Sequence, residues 1–206
     1  MKTYLYVLDT MADWEAGYLL AELNSGRFFR KGTSPVRTVL VGSSLNEVST
    51  MGGIRLTPDV SIDSLKMTAE DLLLLPGADT WMDEAQRPVL LAAKERIAEG
   101  GKVAAICGAT IGLAAVGALD GVAHTSNALD VLKMLCPGYA GESLYRNAPA
   151  VTAGSLVTAS GFAPLEFSRE VLALVDVFKP ETLDAWYNLN VKKEAGYYFA
   201  LMESMV

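Results

Sequence analysis

The chemistry-bearing residue in this chain is a cysteine that closes an apolar run. Lys102-Val-Ala-Ala-Ile-Cys107-Gly-Ala-Thr-Ile-Gly-Leu-Ala-Ala reads as a buried strand, a sharp turn at Cys107 and a helix of small residues. A thiol placed there lies at the carboxyl edge of a sheet and at a helix N-terminus. Free N–H groups and the positive end of the helix dipole favour the thiolate, the form that attacks carbon. Strand–nucleophile–helix is also the geometry by which hydrolases expose a nucleophile. Read alone, the same cysteine equally fits a small buried side chain that fills space.

The elements that must position it alternate along the chain. Tyr4 to Leu8 reads as a first strand, followed by an amphipathic helix starting near Asp13, with Ala16, Leu19, Leu20 and Leu23 on one face. Val36 to Val41 is a second strand, and Val48 to Ile62, with Gly52-Gly53 and Pro58-Asp59, is a hairpin or looped extension. Asp71 to Gly77 is a buried strand stopped by Pro-Gly. A helix through Val89, Leu90, Ala93 and Ile97 then leads to the Cys107 strand. Leu156 to Ala159 is a late strand, and Leu165, Leu172, Val175 and Phe178 mark a long helix. Apolar strands alternating with helices predict a mostly parallel sheet covered on both faces. The whole chain, 1–206, is expected to be one domain with a helical tail from about residue 180.

In such sheets, sites lie beyond the carboxyl ends of the strands. Asp9 to Glu15, Pro76 to Asp79 and Cys107-Gly108 are therefore expected to converge. The last two could offer N–H groups to an oxyanion. Trp14 and Trp81 could wall the pocket, or pack. Cys136, before Pro137, fits a core cysteine at a helix end.

Composition excludes several classes of function. A net charge of −7 with no basic cluster argues against nucleic acid as a partner. Two cysteines make no disulfide framework and suit a reducing cytosol. The N-terminus lacks a signal-peptide pattern. Val103 to Leu119 is uncharged, but its alanines and glycines favour a buried strand–helix unit over a membrane span. No clustered ligand spacing suggests a metal, and no cofactor is expected.

Together, Ala104-Ala-Ile-Cys-Gly-Ala109, Leu74-Leu-Pro-Gly-Ala78, Asp13-Trp-Glu15, Leu119-Asp-Gly-Val-Ala-His-Thr125 and Thr158-Ala-Ser-Gly-Phe-Ala-Pro-Leu-Glu-Phe167 resemble the ThiJ/PfpI superfamily. The resemblance spans about residues 2 to 178. It implies the flavodoxin-like, doubly wound fold of class I glutamine amidotransferases. The superfamily includes intracellular peptidase- and amidase-type proteins, glyoxalase-type enzymes and a Parkinson-disease-associated stress protein. By that resemblance Cys107 is the nucleophile and Glu15 its protonated acid/base partner, buried against Trp14. The N–H groups of Ala78 and Gly108 are the oxyanion donors, and Gly77 keeps the turn tight.

The pattern departs at the histidines. Peptidase-type members carry one directly after the cysteine, where this chain has Gly108. Others place one just after the later threonine, where the matching position is Asn127. The single histidine, His124, falls in a strand-like segment before that place and reads as structural. Asn127 could orient a substrate or a water.

The expected function is a cysteine-dependent hydrolase or amidase acting on a small-molecule or peptide substrate. Alternatives are a redox or stress sensor oxidised at Cys107, an aldehyde-processing enzyme of the glyoxalase type, and a binding module that has lost its chemistry. The resemblance also implies a cytoplasmic homodimer. Leu183, Trp186, Tyr187, Tyr197, Tyr198 and Phe199 would cover apolar surface in the same chain or across an interface.

Overall fold

The computed structural model describes residues 1–205. Nine strands and seven α-helices follow in chain order: β1 (Thr3–Tyr6), α1 (Gly17–Ser25), β2 (Thr38–Gly42), β3 (Val48–Ser49), β4 (Arg55–Leu56), β5 (Val60–Ser61) and β6 (Leu72–Leu75). Next come α2 (Arg87–Ala98), β7 (Lys102–Ile106), α3 (Gly108–Ala115) and α4 (Leu129–Leu135). β8 (Ala150–Ala153), β9 (Leu156–Ala159), α5 (Pro164–Leu174), α6 (Pro180–Lys192) and α7 (Ala195–Ser204) complete the chain.

Seven strands form one sheet in the order β5-β2-β1-β6-β7-β9-β8. Each adjacent pair is parallel except β8 with β9, which forms an antiparallel edge. Leaving out the edge strands β5 and β8, the order is that of a flavodoxin-like doubly wound sheet. Strands β1, β6 and β9 and the last four residues of β7 are buried throughout, so neither face of the sheet centre meets water. The four leucines of β6 show why sequence periodicity gives an uninterrupted apolar run here: helices cover both faces. Ala104 and Ala105 on β7 have no exposed surface, and side chains this short let those helices approach closely.

Several boundaries differ from the sequence reading, each for a local reason. The first helix starts at Gly17 rather than near Asp13. Residues 13–16 form turns instead, and the Asp13 carboxylate accepts the Gly52 N–H at 2.6 Å. This ties the loop after β1 to the β3–β4 hairpin. The helix expected to run through Phe178 stops at Leu174, because Asp176 adopts φ 54°. The chain then turns, and Phe178 packs edge-on against Phe28, Phe29 and Trp186.

Both tail helices form. Trp186 is buried and its Nε1–H donates to Glu22 of α1 at 2.9 Å, while Leu183 also packs inward. Tyr198 and Phe199 of α7 remain exposed. No helix among the described residues is long and apolar enough to cross a membrane.

Candidate active site

Four neighbouring strands of the sheet centre, β1, β6, β7 and β9, deliver the site from their carboxyl ends. Glu15 follows β1, Gly77 and Ala78 follow β6, Cys107 follows β7, and Ser160-Gly161 follows β9.

Cys107 sits on the turn between β7 and α3 with φ 58° and ψ −125°. A non-glycine residue in that region costs on the order of 1–3 kcal/mol and persists only where its surroundings over-determine it. Here they do. Its N–H donates to Ala159 at 3.0 Å, and its carbonyl accepts both the N–H (3.0 Å) and the hydroxyl (2.6 Å) of buried Thr110. The Thr110 hydroxyl lies 2.7 Å from that of Ser126, which is also buried. The turn thus holds the side chain on the pocket side, half-buried.

Glu15 is almost fully buried, with 1% of its surface exposed. One oxygen, Oε2, accepts the Gly77 N–H at 2.5 Å. The other, Oε1, has no hydrogen-bond partner among the described residues. Oε1 and Cys107 Sγ both border the space at Gly161, where a β-carbon would stand 3.0 Å from the one and 2.7 Å from the other, and carboxyl and thiol act on one another there. Burial raises the Glu15 pKa above the ordinary carboxyl value, partly opposed by the Gly77 N–H. Trp14 does not provide this burial. Its side chain is 53% exposed, and the enclosing groups are Gly77, Cys107 and Gly161. Trp81 is buried instead, stacked near Tyr6 with its indole N–H on the Pro76 carbonyl at 2.7 Å.

The helix N-terminus was expected to lower the Cys107 pKa. The structure moves it upward, because the sulfur is withdrawn from water and faces the Glu15 charge. The Asn127 amide and the Gly108 N–H oppose that rise. Asn127 Nδ2 donates to Sγ at 3.3 Å, while its Oδ1 accepts the Gly161 N–H at 2.8 Å. This second bond fixes which end of the amide faces the sulfur.

Two glycines after Glu15 are dictated by space. A β-carbon at Gly77 would stand 2.5 Å from Glu15 Oε2 and 2.7 Å from the Cys107 β-carbon. One at Gly108 would meet the Ala78 carbonyl at 2.5 Å, so the backbone here leaves no room for a histidine after the cysteine. The same close approach puts the Ala78 and Gly108 backbones side by side. Ala78 N–H has no acceptor among the described residues, and Gly108 is the first residue of α3, where N–H groups lack helical partners.

Gly161 and Ser160 join the site without being among the candidates read from the sequence. The signal was available, since they lie at the carboxyl end of a strand adjacent to the Cys107 strand.

His124 lies apart from this chemistry. It is fully buried, with Nδ1 2.7 Å from the Val122 carbonyl and Nε2 2.6 Å from the Tyr139 hydroxyl. The carbonyl requires a proton on Nδ1. Burial pushes the ring's pKa below the ordinary value, which favours the neutral tautomer in which Nε2 accepts from Tyr139. The unfolded chain takes up that proton below about pH 6.5 and the folded chain resists it. Stability from this site is therefore complete above about pH 6.5 and declines as pH falls toward the lowered folded value. Melting curves of the wild type and His124→Gln should show it: between pH 7 and 5.5 the wild type is expected to lose more Tm than the variant. Parallel losses would contradict the assignment.

Cys136 is buried at the end of α4, with its thiol on the Ile111 carbonyl at 3.4 Å, and burial raises its pKa. No group of three or more His, Cys, Asp or Glu among the described residues is placed to hold a metal.

Comparison with known proteins finds relatives that share the fold. The DJ-1/PfpI family model matches residues 1–174. The chain is 48% identical over 204 residues to the uncharacterized protease YoaZ of Bacillus subtilis, covering 99% of this chain and 97% of that protein. The crystal structure of a thiJ/pfpI family protein from Bacillus anthracis superposes with TM-score 0.97 at 50% identity, covering 99% of this chain and 96% of that one. The DJ-1 superfamily protein Atu0886 from Agrobacterium tumefaciens gives TM-score 0.80 at 32% identity, covering 94% and 98%.

Proposed function

This chain belongs to the DJ-1/PfpI family, and we propose that it is a cysteine-dependent hydrolase or amidase whose Cys107 attacks a carbonyl carbon. The observation that carries the reading is the strained Cys107 turn beside a buried Glu15 with one free carboxyl oxygen. The name of the Bacillus subtilis relative, a protease, supports the same class of reaction.

In this reading the proton leaves the Cys107 thiol for Glu15 Oε1, the one titratable partner acting on the sulfur. The sulfur forms a bond to the carbonyl carbon as the carbonyl pair moves onto oxygen. Ala78 and Gly108 N–H groups stabilise that oxyanion. Collapse expels the amine or alcohol, which takes its proton from Glu15. The carboxylate then removes a proton from water, which attacks the thioester and returns the thiol. Asn127 has no proton to exchange. It donates to the sulfur and steadies the thiolate.

Cys107→Ser should end turnover of a responsive ester or amide, while Cys136→Ser leaves it unchanged. Equal activity in wild type and Cys107→Ser would reject the proposal.

A second reading is a peroxide-responsive protein. The unpartnered Glu15 Oε1 favours it, since a protonated carboxyl there could donate to an oxygen added to sulfur. Mild peroxide that oxidises Cys107 to the sulfinate in a protein without turnover would support this reading. Oxidation spread equally over Cys107 and Cys136 would reject it.

The reading includes a homodimer, supported by the uncovered Tyr198 and Phe199 of α7. Sedimentation at the mass of one chain would remove that part. A reducing compartment such as the cytoplasm fits both unpaired cysteines.

A further inference from the structure

A cleft of about 360 Å³ opens at Asn127, lined also by Asn147, Pro149, Ser160, Phe162 and Glu166 among others. Asn127 belongs to both places: its amide nitrogen touches Cys107 Sγ and its carbonyl end holds the loop that carries Ser160 and Phe162. A substrate with its carbonyl at Sγ therefore has this cleft as the adjoining space for its remaining atoms.

The cleft has a distinct chemistry. Glu166 is the one charged side chain in its lining, and no lysine or arginine lines it. The Glu166 carboxylate makes no ion pair among the described residues. Tyr187 O–H donates to Oε1 at 2.8 Å, which fixes the group and leaves Oε2 without a protein donor. The two nearby cations are otherwise engaged. Arg169 pairs with Asp184 at 2.9 Å, and Arg146 is turned onto the Ser143 and Tyr145 carbonyls. Phe162 is 91% exposed, a ring with almost nothing packed on it. An oriented carboxylate, neutral amides and a bare aromatic face together suit a cationic amine on a short apolar arm.

We infer that this cleft receives the non-reacting arm of the substrate, and that Glu166 selects carbonyl compounds whose arm carries a protonated amine. The inference rests on Cys107 being the nucleophile and adds the specificity of that site. Phe162 supplies the apolar contact along the arm, and Asn147 and Ser160 supply hydrogen bonds.

Charge-selective thiol reagents separate the two claims. Three methanethiosulfonates serve as probes, carrying an ethylammonium, an ethylsulfonate or a methyl group. Each forms a mixed disulfide as the thiolate attacks the sulfenyl sulfur and methanesulfinate leaves with the bonding pair. In a Cys136→Ser background, Cys107 labelling is followed by intact mass. The cationic reagent should outpace the anionic one by about tenfold or more. In Glu166→Gln, which keeps an acceptor for Tyr187, that ratio should fall about fivefold, as expected for loss of one nearby charge, with the methyl reagent unaffected. Asp63→Asn removes an exposed carboxylate outside the cleft that makes no ion pair among the described residues, and should leave the ratio unchanged. A ratio unaltered in Glu166→Gln, or one that falls equally in Asp63→Asn, would overturn the specificity assignment alone. Failure of the methyl reagent to label folded Cys107 would overturn the nucleophile reading and this inference with it.

Discussion

Gly161→Ala is expected to slow alkylation of Cys107 by iodoacetamide about a hundredfold while leaving the sheet intact. A β-carbon at 161 would stand 2.7 Å from Cys107 Sγ, 2.9 Å from its β-carbon and 3.0 Å from Glu15 Oε1. Two of these atoms belong to the short cysteine side chain, and the third ends a glutamate side chain that is itself anchored. The Cys107 backbone is tied on both sides, and Glu15 Oε2 is held by the Gly77 N–H. The added methyl must therefore displace the sulfur or the carboxyl, and a shift of about 1 Å at a reacting centre can cost 10²-fold. Overpacking of this kind typically costs about 1–3 kcal/mol of stability. Alkylation kinetics with a melting curve on the same sample check both parts. A wild-type rate in a folded Gly161→Ala protein would show that the loop after β9 yields and that the box around the sulfur is not rigid.

The second large effect is expected at Glu15, where activity and stability should move in opposite directions. Its raised carboxyl pKa means that the folded protein holds the proton more tightly than the unfolded chain. The resulting stabilisation is complete below the ordinary value of about 4.3 and is lost as pH rises through the folded value. Glu15→Gln removes that loss, because the amide oxygen accepts the Gly77 N–H and the NH₂ turns toward the sulfur without a charge to bury. At pH 7.5 its Tm should exceed that of the wild type, and the difference should vanish as pH falls below the ordinary carboxyl value. Turnover should fall about 10²- to 10⁴-fold, since an amide cannot move a proton. Alkylation should persist in Glu15→Gln and drop in Glu15→Leu, which has no donor to offer a thiolate. A fully active Glu15→Gln protein would remove Glu15 from the acid/base role.

Much of this arrangement can be read from the chain before any coordinates. Residues 102–109 specify the strand, the turn and the helix because each local preference there agrees with the fold: β-compatible apolar residues, then small residues that tolerate close packing. The convergence of Glu15, Ala78 and Cys107 follows from the rule that sites gather at carboxyl strand ends. What escaped the sequence depends on long-range contact. Gly161 gains its meaning only where Cys107 and Glu15 crowd it from two other strands. Trp14 and Trp81 have the same composition-level signal, yet one is half exposed and the other is buried beside Tyr6 of β1, with its indole N–H on the Pro76 carbonyl. Periodicity could not end α5 at Leu174 either, since the left-handed turn at Asp176 leaves the apolar pattern through Phe178 unbroken. The direction of the Cys107 pKa is hidden from the sequence for a related reason. A helix dipole is visible in sequence, while the burial that outweighs it here is a property of the assembled pocket.

The central claim is that Cys107 forms a covalent acyl intermediate, and peptide mass spectrometry tests it most directly. The folded protein is mixed with p-nitrophenyl acetate, quenched in acid within the first turnover and digested. The account predicts one acetyl group, carried by the peptide containing Cys107, appearing in step with a burst of p-nitrophenol and absent from Cys107→Ala. Acetylation confined to lysines, or equal in wild type and Cys107→Ala, would contradict it.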